Sequence, residues 1–96
     1  MRVSEEIMIA IPADPRDSED RDVSVAGLKR AHMGRRFRIL RHRLQLSQQD
    51  FANAYGIPLS AIRQYEIGRH MPPPAVRAYL KVIEAEPEVV RRVMAG

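Results

Sequence analysis

The chain has 96 residues, enough for one small domain and too few for two large ones. Its hydrophobic fraction is 45% but its aromatic fraction only 5%, with no Trp, so any core is mainly aliphatic. The absence of Cys excludes a disulfide framework, a cysteine-ligated zinc or iron–sulfur site and a thiol nucleophile, and no apolar run approaches the ~18 residues of a membrane helix.

The N-terminus lacks the basic start and apolar stretch of a secretion signal, so the expectation is a soluble cytoplasmic protein. The net charge of +4 is unevenly spread. Residues 1–22 carry three Arg against seven Asp or Glu, whereas residues 23–96 carry thirteen Lys or Arg against five acids. Between Lys29 and Arg43 stand seven Lys or Arg and no acid. Such a body is a candidate for a polyanionic partner; a solvated basic helix face is the plainer alternative.

Residues 1–22 read as an arm. Ile7, Met8, Ile9 and Ile11 form a short apolar run before Pro12, β-branched enough to predict one strand over about residues 5–11. Nothing later reads as a strand, so it would pair with a second copy or a partner, or stay a tail. Residues 12–22 contain two Pro, many charges and no large apolar side chain, which is linker composition.

Residues 23–96 read as helical. Val25, Leu28 and Met33 could begin a helix, with Gly27 and Gly34 as breaks. Met33, Phe37, Leu40 and Leu44 form one helical stripe. Arg35, Arg36 and Arg38 fall largely off it and read as solvated, with occasional phosphate contact. Ser47, three residues before Asp50, caps a second helix bearing Phe51, Ala52 and Tyr55, and Gly56 stops it. A third helix after Pro58 carries Leu59, Ile62 and Tyr65 at burial spacing and ends at Gly68. Pro74 opens a fourth, with Val76, Tyr79, Leu80 and Ile83. Pro87 opens a fifth, with Val89, Val90, Val93 and Met94.

Residues 46–69 carry the functional pattern: two short helices joined by a tight turn at Gly56, with Ala52 small at their crossing and Ile57 and Ile62 filling the space between them. This is a helix-turn-helix arrangement, whose second helix lies in the major groove. Its outward positions are Leu59, Ser60, Ala61, Arg63 and Gln64. Arg can fork onto guanine and Gln onto adenine, while shorter side chains reach thymine methyl groups.

Through Leu46-Ser47-Gln48, Phe51-Ala52, Gly56, Ile62 and Tyr65-Glu66-x-Gly68-Arg69, the sequence resembles the Cro/CI-type (Xre-type) helix-turn-helix domain over roughly residues 33–86. The resemblance implies an all-α, five-helix, lambda-repressor-like domain over residues 23–96, preceded by the arm and its strand. It implies Gln48 and Arg69 on phosphate; Ser60, Ala61, Arg63 and Gln64 at base edges, with Leu59 beside them; and a structural ion pair of Arg41 with Glu66. Pro58 departs from the family, which often has a Ser or Thr cap there. Within the family the chain is most similar to HigA-type antitoxins of type II toxin–antitoxin systems. That likeness implies double-stranded operator DNA as one partner and a small basic RelE/HigB-like ribonuclease toxin as another. Ile7, Met8, Ile9 and Ile11 are the candidate toxin anchors, by strand addition.

A palindromic operator implies a twofold homodimer, with Val89, Val90, Val93 and Met94 as its candidate surface. A plain repressor without a toxin and an interaction module that binds no DNA remain open alternatives. No catalytic constellation is visible and no cofactor is expected. His32, His42 and His70 lack metal-ligand spacing.

Overall fold

The computed structural model describes residues 24–96. The arm, with its expected strand and the candidate anchors Ile7, Met8, Ile9 and Ile11, lies outside the described residues. These comprise five helices and no strand: α1 (Val25–Arg43), α2 (Gln48–Tyr55), α3 (Leu59–Glu66), α4 (Pro74–Ala85) and α5 (Pro87–Ala95).

α1 begins earlier and runs further than its glycines lead one to expect. The Ser24 hydroxyl accepts a hydrogen bond from the Gly27 amide at 3.0 Å, capping the first turn. The helix then continues through both Gly27 and Gly34 to Arg43. Gly34 is no break; α1 approaches the α3 backbone closely there. A Cβ there would collide with the backbone carbonyl oxygens of Tyr65 and Glu66. The packing of a second helix overrides the weak helix propensity of glycine, which costs about 1 kcal/mol. Arg41, His42 and Arg43 occupy the last turn, where positive charge meets the negative end of the helix dipole.

The remaining boundaries follow local chemistry. Ser47 caps α2 by accepting from the Asp50 amide at 3.0 Å. Gly56 ends it at φ 71°, a left-handed conformation that glycine adopts without a Cβ clash. Pro58 precedes α3 with no side-chain cap. Pro74 and Pro87 each sit in the first turn of their helices, where a missing amide hydrogen costs nothing.

The core lies where α1, α2, α3 and α4 converge. It contains Met33, Phe37 and Leu40 from α1, Phe51, Ala52 and Tyr55 from α2, Ile57 from the turn, Ile62 and Tyr65 from α3, and Leu80 and Ile83 from α4. The few aromatic rings cluster in it. Phe37 meets Phe51 edge-on at 6.3 Å and stacks on Tyr65 at 5.4 Å, and Phe51 lies 4.9 Å from Tyr55. Such contacts add to the area they bury.

α5 closes over the bundle from one side. Val90 packs against the core, so it is not part of an exposed face with Val89, Val93 and Met94. The Tyr55 hydroxyl donates to the Pro87 carbonyl at 3.0 Å, and the Tyr79 hydroxyl donates to the Tyr55 carbonyl at 2.7 Å. These two bonds tie α2, α4 and the start of α5 together. No described helix is long and apolar enough to cross a membrane.

Candidate nucleic-acid interface

α3 is a helix of eight residues with two unlike sides. Ile62, Tyr65 and Glu66 are buried. Ser60, Arg63 and Ile67 are exposed, spaced by three and four residues along one line. Leu59, Ala61 and Gln64 are half-buried between the two sides. Leu59 and Ala61 pack partly against the core, which leaves Ser60, Arg63 and Gln64 as the polar side chains on the outward face.

The C-terminal end of α3 is held by a charged network. Glu66 is only 5% exposed. Its carboxylate accepts from Arg41 Nε at 2.7 Å, Arg41 Nη2 at 2.9 Å and Gln48 Nε2 at 3.0 Å. The remaining Arg41 terminal nitrogen donates to the Leu46 carbonyl at 3.0 Å. One ion pair thus joins α1, the turn before α2, the first residue of α2 and the last of α3. The Glu66 hydrogen bond holds the Arg41 guanidinium pKa above its ordinary value, outweighing the opposing effect of burial. A forked Arg–carboxylate pair also fixes direction, so α3 is held in rotation as well as in position.

Gln48 thereby sits at the start of α2 with its amide already oriented by Glu66. Arg69 is exposed just beyond α3. Gln49 and Asn53 form a second exposed polar pair on α2, with Gln49 Nε2 donating to Asn53 Oδ1 at 3.0 Å. The sequence reading missed this pair and missed Ile67, which is 65% exposed. Ile67 stands seven residues after Ser60, so continuing the helical period past Glu66 would have found it.

The basic run of α1 differs from its expected role. Arg36 donates from Nε and Nη2 to the two carboxylate oxygens of Glu84 at 3.1 Å and 2.5 Å. Arg38 donates to the Glu66 carbonyl, Arg43 to the Glu84 carbonyl and Arg30 to the Gly68 carbonyl. With Arg41, five guanidinium groups of this run fasten α1 to α3, α4 and their flanking turns. Arg36 is half-buried against Glu84, while Arg38 is exposed as expected; both nevertheless fasten the fold through these bonds. Charge density along a sequence does not reveal this, because the acceptors on and beside α3 and α4 lie 25 to 48 residues away.

The sequence model of the helix-turn-helix domain family matches residues 32–93. The chain belongs to that family. No curated protein and no solved structure matches it. The match spans α1 from His32 onward and nearly all of α5, and it places the chain among DNA-binding regulators of the Xre-like helix-turn-helix kind. Among the described residues no group of three or more His, Asp or Glu is placed to hold a metal ion.

Proposed function

We propose that the chain is a sequence-specific transcriptional repressor that inserts α3 into the major groove of a palindromic operator. The observation that carries this reading is the exposed pair Ser60 and Arg63, with half-buried Gln64 beside them, on a helix whose far end is fixed by the Arg41–Glu66 pair. Arg63 and Gln64 read base edges, with Ser60 beside them and Leu59 and Ala61 flanking. Gln48 and Arg69 contact phosphates on either side, where they set register and not sequence choice. A twofold homodimer spaces two such helices one DNA turn apart, about 34 Å. Val89, Val93 and Met94, all exposed, are available on α5 for its contact.

The finer reading is that of a type II antitoxin. It neutralises a small basic RelE/HigB-like ribonuclease toxin and represses its own operon. Its support is the acidic balance of residues 1–22 and the apolar run Ile7, Met8, Ile9 and Ile11 within them. An acidic arm suits a basic surface, and the apolar run suits strand addition.

Selection of binding sites from a random duplex library tests the first part. A recovered inverted repeat supports it; enrichment of no sequence overturns it. Purification of the tagged chain from its host, with identification of co-eluting proteins, tests the second. A stoichiometric small basic partner, lost when residues 1–22 are deleted, supports the antitoxin reading and puts its site on the arm. Recovery of the chain alone leaves the plain repressor.

A further inference from the structure

α1 presents an apolar surface at its N-terminal end that the bundle does not cover. Val25 is 71% exposed and Leu28 is 58% exposed, one turn apart. With Met33 and Met71 they line a groove of about 570 Å³, and Lys29, His32 and Arg77 complete its lining. That volume falls within the ~300–1,000 Å³ of sites that enclose small organic ligands. Arg77 is held in place by a hydrogen bond from Nη1 to the Pro72 carbonyl at 2.6 Å. The groove is thus apolar at its base and basic along its edge.

We infer that this groove is the docking site for the chain's own apolar segment Ile7–Ile11, bound within the same molecule. Three observations select that occupant. The first is the tether: residues 1–23 join the described body at Ser24, next in the chain to Val25, which lines the groove. The twelve residues between Ile11 and Ser24 can span up to ~40 Å, more than enough to return to it. A connector this short also holds the segment near the groove at an effective concentration in the millimolar range, so even weak docking is well populated. The second is chemistry: in an extended segment Ile7, Ile9 and Ile11 share one face, which matches a base of Val, Leu and Met side chains. The third is charge: Asp14, Asp17, Glu19, Asp20 and Asp22 stand in the connector, opposite in sign to Lys29 and Arg77. The inference does not rest on DNA binding. It adds a consequence for the antitoxin reading: a partner that takes the segment must first displace it from the groove.

The chain contains no Cys, so an introduced pair reports only itself. The test is oxidation of the full-length Ile9→Cys/Leu28→Cys variant, purified alone, beside an Ile9→Cys/Glu88→Cys control on α5. Docking within one molecule predicts an intramolecular disulfide about tenfold more abundant than in the control, whose α5 position shares the tether but lies outside the groove. Equal yields in the two variants overturn the inference. So does a product that is predominantly a disulfide-linked dimer, which would make the occupant a second copy. The methyl signals of Met33 and Met71 give a second readout without Cys. They should shift in the Ile7→Ser/Ile9→Ser/Ile11→Ser variant relative to the unsubstituted chain, and unchanged signals likewise overturn it.

Discussion

Arg41 and Glu66 are joined by two hydrogen bonds, 2.7 Å and 2.9 Å long, that cross from the last turn of α1 to the last residue of α3. The Arg41 side chain is 13% exposed and that of Glu66 4%, so loss of either partner strands a charge with little access to water. Arg41→Met should destabilise the fold by about 3 kcal/mol, the lower end for breaking a buried pair. The double variant Arg41→Met/Glu66→Leu should recover most of that loss, because no unpaired carboxylate remains. Urea denaturation of the two singles and the double measures both values. Additive losses would show that the two residues act separately.

Gly34→Ala should lower stability although alanine favours helix. The added methyl meets backbone oxygens of α3, which cannot rotate away as a side chain can. The expected net loss is about 1–3 kcal/mol, the usual range for overpacking. A thermal midpoint that rises would contradict the close crossing of α1 and α3.

Arg63→Ala should cost about 1–3 kcal/mol on the selected operator and much less on unrelated duplex. Arg69→Ala should weaken both by similar amounts and reduce the slope of log affinity against log salt by about 1. Fluorescence anisotropy titrations at several salt concentrations separate the two. An equal loss on both duplexes for Arg63→Ala would remove it from base reading.

Stability should fall in alkali through Tyr55 and Tyr79. Burial pushes both phenols above their ordinary value of 10.0 in the folded chain. The folded state therefore holds these protons more tightly than the unfolded state. Their contribution is fully present below pH 10 and is lost as pH rises through the raised folded values. Deprotonation also removes the donors to the Pro87 and Tyr55 carbonyls. Thermal melts between pH 7 and 11 should show the decline. The Tyr55→Phe/Tyr79→Phe variant should flatten it while losing about 1 kcal/mol per hydrogen bond near neutrality.

Much of this protein is legible in its sequence because it depends on neighbours along the chain. Apolar spacing alone marks Phe37, Leu40, Phe51, Ile62, Leu80 and Ile83 as interior, and each is buried. Ser47 and Gly56 mark the ends of α2, because capping is chemistry between residues a few positions apart. The outward placement of Ser60 and Arg63 follows from the same helical period.

Tertiary structure decided the rest. Gly34 is indistinguishable from a helix breaker until α3 is laid against it, since its role depends on carbonyl oxygens some thirty residues away. The Arg-rich stretch of α1 carries the same formal charge whether it faces phosphate or protein. Only the positions of Glu66, Glu84 and the Gly68 carbonyl give most of it protein acceptors. The groove of Val25, Leu28, Met33 and Met71 exists only because the loop after α3 folds back beside α1. Sequence period determines which side chains leave water. Which partners they meet, and which charges remain free for a ligand, is determined by contacts between segments distant in the chain.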